Sequence, residues 1–192
     1  MKFKSLDDYL CKVVVLLTFV LGCMAIGIAW ASQIWGGLVP CELCLGERIP
    51  YYVALPIVGV VLLSWSRLPP LLRRLALVLV AAIFAWSAYL GVFHAGVEMK
   101  LWEVPTACAA TPQSLSTDLL TALDQVKVIP CDQIQWQLLG ISMADINAGL
   151  SLLIAALLIL AARPSPGSQI PQSSQDQERT HSSFAADGRP AH

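Results

Sequence analysis

Cys41 and Cys44, in the run Pro40-Cys41-Glu42-Leu43-Cys44, are the residues whose types and spacing best suit chemistry, and Arg48 stands one helical turn beyond them. Two thiols separated by two residues bridge readily. If a helix begins near Cys41, its unpaired N–H groups and the positive end of its dipole lie close to both sulfurs, which favours the reactive thiolate. Arg48 falls on the same helical face as Cys44 (i, i+4). Such a pair at the mouth of an apolar helix, with a cation near membrane depth, points to thiol redox chemistry fed by a membrane-soluble electron carrier. The bland alternative for Arg48 is an anchor that snorkels or pairs with Glu47 or Glu42.

Further thiols extend the pattern. The six cysteines stand at positions 11, 23, 41, 44, 108 and 131. Cys108 and Cys131 are too far apart for a helical pair but suit the closing of a loop. A zinc site built from Cys41, Cys44, Cys108 and Cys131 is the rival reading. It is disfavoured because the second pair lacks the Cys-x-x-Cys spacing of structural zinc sites. Cys11 and Cys23, at and within the first apolar run, read as small packing residues. His94 is either a satisfied interior histidine or a polar partner for a cofactor oxygen.

The elements that must position these residues are apolar. Of 192 residues, 56% are hydrophobic and 13% charged, and the mean hydropathy is +0.66. That composition indicates a membrane protein, and a net charge of −1 gives no reason to invoke nucleic acid. Apolar runs cover residues 13–31, 49–65, 75–97 and 146–162. A helix crosses the hydrocarbon core with about 17–25 such residues, so all of these runs qualify. The fold expected is an all-α membrane protein: an antiparallel four-helix transmembrane bundle occupying residues 1–163, with loops at 32–48 and 98–145 on one side.

Lys and Arg placement orients it. Lys2, Lys4 and Lys12 precede the first run, Arg67, Arg73 and Arg74 lie between the second and third, and Arg163 follows the fourth. The intervening loops hold only Arg48, Lys100 and Lys127. By the positive-inside rule both termini are expected in the cytoplasm, with Cys41, Cys44, Cys108 and Cys131 on the outer, oxidising side. Ala29-Trp30-Ala31 resembles a cleavage site and Val20-Leu21-Gly22-Cys23 loosely resembles a lipid-attachment box, but the run exceeds the usual signal length and Asp7 and Asp8 dilute its basic leader, so an uncleaved first span is expected. Within the long second loop, Leu115, Leu119, Leu120, Leu123 and Val126 share one helical side, a pattern for lying on the bilayer or packing on the bundle. Ser142-Met143-Ala144-Asp145 matches a capping box before the last run. Trp30, Trp35, Trp65, Trp102 and Trp136 read as interfacial anchors. From residue 164 to 192 the chain is rich in Pro, Ser and Gln and is expected to be a disordered cytoplasmic tail.

These motifs together resemble the bacterial disulfide bond formation protein B (DsbB) family. The likeness rests on Pro-Cys-Glu-Leu-Cys-Leu-Gly-Glu-Arg at 40–48, on Phe93-His94-Ala95-Gly96-Val97-Glu98 leading to Pro105-Thr106-Ala107-Cys108, and on Cys131 followed by Trp136 and Gly140-Ile141-Ser142. Gly46 stands where members of the family often carry a bulky aromatic. The resemblance covers residues 1–162 and implies an inner-membrane enzyme. Such an enzyme reoxidises a periplasmic thioredoxin-fold thiol oxidase of the DsbA kind and passes the electrons to ubiquinone or menaquinone. It further implies redox-active disulfides Cys41–Cys44 and Cys108–Cys131, with Cys108 meeting the protein partner, Cys131 attacking Cys41, and Cys44 donating toward a quinone beside Arg48, with His94 a weaker contact. Two other classes compete: a reductase of the vitamin K epoxide type, which usually carries its Cys-x-x-Cys later in the chain, and a non-enzymatic small membrane subunit or metal-binding protein. The enzyme reading expects the four outer cysteines to be blocked to alkylation until reduced; free labelling in untreated cells would exclude it.

Overall fold

Each long apolar run folds as a helix, because in lipid every backbone N–H and C=O must be satisfied within its own span. The protein is described from a computed structural model covering residues 2–105, 108, 130–134 and 136–163. Among these, α1 (Lys2–Ile34), α2 (Glu42–Leu63), α3 (Pro70–Glu98) and α4 (Met143–Ala162) are long and apolar enough to cross a membrane. A short antiparallel hairpin, β1 (Gln137–Leu138) and β2 (Ile141–Ser142), precedes α4. The architecture is the expected four-helix bundle. The amphipathic segment around 115–126 and the tail 164–192 lie outside the described residues.

Most helices outrun their apolar cores. α1 has 33 residues and α3 29, because the hydrocarbon requires only the middle of a helix to be apolar and polar ends continue it through the interface. Sequence-local signals set the ends. Pro70 occupies the first turn of α3, where its missing N–H leaves no bond unmade. The Ser142–Asp145 capping box forms at α4, with Ser142 Oγ accepting from Asp145 N at 3.2 Å and Ser142 N donating to Asp145 Oδ2 at 3.1 Å. α2 ends at Leu63, short of the expected Trp65.

Trp65 corrects the sequence reading in a second way. It is not an exposed interfacial anchor but is buried, because Arg73 stacks over its ring at 4.2 Å and its indole N–H donates to Asp8 at 3.1 Å. Arg73 in turn bonds Asp8 at 2.7 Å, which ties α1, the α2–α3 turn and α3 together at the end remote from Cys41.

The core runs along the bundle. Val58, Leu77, Val80, Phe84, Ile154 and Leu158 are fully or almost fully buried, and the Tyr51 and Phe84 rings meet edge-on at 5.2 Å. Many large apolar residues, such as Leu17, Val60, Leu79 and Leu152, remain exposed on the outside. Lipid tails are as apolar as leucine, so those side chains gain nothing by burial; close packing and polar contacts hold the helices instead. α3 approaches α4 at Gly91, where a Cβ would sit 2.8 Å from the Ala148 backbone nitrogen.

Candidate active site

Cys41 is the N-cap of α2, so the helix begins where the sequence places it. Its backbone is extended, and its sulfur accepts from the Cys44 backbone N–H at 3.2 Å, the part usually played by a serine or aspartate oxygen. The Cys41 and Cys44 sulfurs stand 2.8 Å apart, both thiols free, with Cys41 buried and Cys44 partly so. The Cys41 thiol is held well below its ordinary range. The Cys44 side-chain hydrogen bond is the largest cause, His94 adds to it, and burial opposes both.

Cys108 and Cys131 form a disulfide, with Cα atoms 5.5 Å apart. Tertiary folding brings it to the first pair: Cys41, Val97, Cys108 and Cys131 make one buried cluster, with Leu43, Cys44 and Phe93 packed against it. A loop cysteine 67 residues from Cys41 in sequence (108 against 41) thereby shares its packing environment.

Beside this cluster opens a cavity of about 440 Å³. α1 contributes apolar wall through Leu21, Met24, Ala25 and Ile28, and α4 through Ile146 and Leu150. Cys41, Cys44, Glu47, Arg48 and His94 supply the polar end. An apolar chamber with a few convergent polar groups is the usual form of a small-molecule site.

Arg48 lies in that wall, and neither alternative partner holds it. Its guanidinium donates to Gln33 Oε1 at 2.7 Å and to the Ala29 carbonyl at 3.3 Å, both on α1. Glu47, its neighbour in sequence, projects to another face, since successive helical residues diverge by about 100°. There it is nearly buried and meets α3 and α4. Gly46 has open space where a Cβ would stand.

His94 is buried and spans two groups. Nδ1 lies 2.6 Å from Glu47 Oε1, and Nε2 lies 3.6 Å from Cys41 Sγ and 3.9 Å from Glu98 Oε1. Glu47 Oε2 accepts from Asn147 Nδ2 at 2.8 Å. Asn147 Oδ1 accepts from the Tyr51 hydroxyl at 2.8 Å, and Tyr51 meets Ser151 Oγ at 2.9 Å. Ser151 reaches Ser87 at 3.0 Å. No buried side-chain polar atom among the described residues lacks a partner.

The sequence reading placed Cys41, Cys44, Cys108, Cys131, Arg48 and His94 in the site, and the fold brings all of them to one end of the bundle. Glu47, offered by the sequence only as a partner for Arg48, and Asn147, which the sequence does not single out, also line this site. An ionisable residue in a membrane-spanning helix is a functional candidate in its own right, and that signal was available for Glu47.

Comparison with known proteins agrees with this geometry. The family described as "Disulfide bond formation protein DsbB" matches residues 12–161. An uncharacterized protein, RP370, of Rickettsia prowazekii (strain Madrid E) is 25% identical over 151 residues, covering 77% of this chain and 85% of that protein. No solved structure gives a significant match.

Proposed function

From the premise that this chain belongs to the DsbB family of membrane disulfide oxidoreductases, we propose that it reoxidises a DsbA-like thioredoxin-fold partner and delivers the electrons to a membrane quinone. The observation that carries this reading is the single buried cluster joining the Cys108–Cys131 disulfide to Cys41 at the edge of the apolar cavity.

The sulfur chemistry follows from placement. A thiolate of the reduced partner attacks Cys108, the Cys108–Cys131 bond breaks, and its electron pair leaves on Cys131. Cys131 attacks Cys41 in the oxidised Cys41–Cys44 pair, and the electron pair of that bond passes to Cys44, which lines the cavity. Each exchange conserves one disulfide and moves two electrons one step toward the membrane.

The cavity residues fit a quinone. Its apolar walls suit a ring and prenyl chain, and Arg48 presents a planar fork of donors suited to a ring oxygen. When bound there, a quinone supplies a two-electron, two-proton acceptor. The Arg48 guanidinium stabilises negative charge arriving in a low-dielectric chamber. Ubiquinone and menaquinone both meet this description.

Residues 1–163 make up the membrane domain in this reading. Both termini lie in the cytoplasm of a bacterium, and the cysteine end faces the periplasm. Arg67, Arg73 and Arg74 cluster at the opposite end, as the positive-inside rule requires. The test is purified protein with a reduced thioredoxin-fold partner and, separately, ubiquinone and menaquinone analogues, followed by quinone absorbance. Loss of oxidised-quinone absorbance in step with partner oxidation, abolished by Cys44→Ser, supports the proposal. Partner oxidation without any change in quinone refutes it.

A further inference from the structure

Behind Cys41 the polar groups stand in a fixed order. Thiol, imidazole, carboxylate and amide follow one another through Cys41 Sγ, His94, Glu47 and Asn147, at 3.6, 2.6 and 2.8 Å. These residues come from the start of α2, from α3, from α2 again and from α4. We infer that His94 is a catalytic acid–base group for Cys41, and that Glu47, itself held by Asn147, is the positioning residue that fixes the imidazole.

The geometry favours this over a purely structural polar cluster. Burying an imidazole beside a carboxylate is costly in desolvation, and apolar residues of similar volume commonly pack as well. Here His94 and Glu47 are 3% and 8% exposed, so neither is relieved by water. The ring's second nitrogen, Nε2, lies 3.6 Å from the sulfur that the thiol relay uses, nearer than Glu98 Oε1 at 3.9 Å. With Glu47 accepting from Nδ1–H, the lone pair of the neutral ring sits on Nε2, facing Cys41. Nucleophile, base and orienting group then stand in the sequence that activates cysteine and serine nucleophiles generally.

The step balances without any external reagent. The Cys41 S–H bond breaks, an N–H bond forms at Nε2, and the electron pair remains on Cys41 as a thiolate. The same proton returns to Cys41 when that sulfur is the leaving group of an exchange. Among the described residues, the titratable groups around Cys41 are Cys44 and Glu47 of α2 and His94 and Glu98 of α3. α4 contributes the neutral Asn147, the Cys108–Cys131 disulfide does not titrate, and Arg48 lines the same cavity.

This assignment rests on Cys41–Cys44 being the redox pair, but its test needs neither quinone nor protein partner, so the two readings fail separately. Reduced full-length protein in detergent is alkylated with iodoacetamide across the acidic and neutral pH range, and Cys41 modification is followed by mass spectrometry. His94→Gln is expected to slow Cys41 alkylation at neutral pH by about tenfold and to move its pH profile upward. Glu47→Gln is expected to shift the profile less, with Glu47→Asp restoring it in part, a rescue that loss of packing does not produce. Thermal unfolding reports whether each variant keeps its fold. The native sequence supplies an independent reading: with ¹⁵N-labelled histidine, the His94 imidazole signals should move when Cys41 is alkylated, whereas those of His181 and His192 should not. Superimposable profiles for folded His94→Gln and native protein, or imidazole signals indifferent to Cys41, overturn the inference.

Discussion

Replacing Arg48 with leucine separates two roles of different energy, a tie between helices and the proposed cation of a quinone site. As a tie between helices, Arg48 makes bonds of 2.7 Å to Gln33 and 3.3 Å to the Ala29 carbonyl. Interhelical hydrogen bonds in membranes contribute on average about 0.6 kcal/mol, so losing these should lower stability by only about 1 kcal/mol and leave insertion intact. As the cation of the cavity, Arg48 would make a charge-assisted contact of about 1.5–3 kcal/mol with a ring oxygen gaining negative charge. At about 1.4 kcal/mol per decade, that is roughly a tenfold to hundredfold loss in kcat/KM for quinone. The larger effect should therefore be kinetic. Arg48→Lys keeps the charge but not the fork, and should fall between leucine and native protein. Gln33→Ala releases the guanidinium without removing it, and should cost about 0.5–1.5 kcal/mol, or twofold to tenfold. The assay is quinone absorbance under steady-state turnover, with single-turnover exchange between a reduced partner and Cys108–Cys131 as a quinone-independent control. If Arg48→Leu turns over quinone normally while unfolding at lower temperature, Arg48 is a helix tie and the electrostatic argument fails.

Cys108→Ser or Cys131→Ser should abolish oxidation of the protein partner while Cys41–Cys44 still forms a disulfide, as read by thiol trapping; normal turnover without Cys108 would remove the loop pair from the relay. Because the Cys41 thiol is held below its ordinary range, its thiolate is present above that lowered value and disappears as pH falls through it. Its alkylation should thus persist into mildly acidic solution, where an ordinary thiol with a pKa near about 8.5 has become unreactive. Gly91→Ala places a methyl group 2.8 Å from the Ala148 nitrogen and 3.0 Å from its Cα. Forcing α3 from α4 in this way should destabilise the fold by about 1–3 kcal/mol, measured by denaturant unfolding. Gly149→Ala, which meets nothing within 4 Å, serves as its control. Deleting residues 165–192 should leave insertion and quinone reduction unchanged; loss of activity in a chain that still inserts would show that the tail takes part.

Sequence alone determined the features whose physics is local. Apolar runs of membrane-spanning length can only be helices in lipid, and their number determined the bundle. Cys41-x-x-Cys44 at a helix start marked a candidate reactive pair, and Ser142-x-x-Asp145 marked the start of α4, because caps and dipoles act within one turn. Arg48 was visible as a charge beside an apolar run. The tertiary structure decided everything that depends on which face of one helix meets another. Residues 47, 94 and 147 carry no mutual signature in the chain, and it is the packing of α2, α3 and α4 that sets Glu47 between His94 and Asn147. The same packing turns His94 toward Cys41, sends Arg48 to α1 and buries Trp65 under Arg73. A helical residue's neighbours along its own chain are given by periodicity. Its partners across the bundle depend on rotations and depths fixed by packing, which no local pattern encodes.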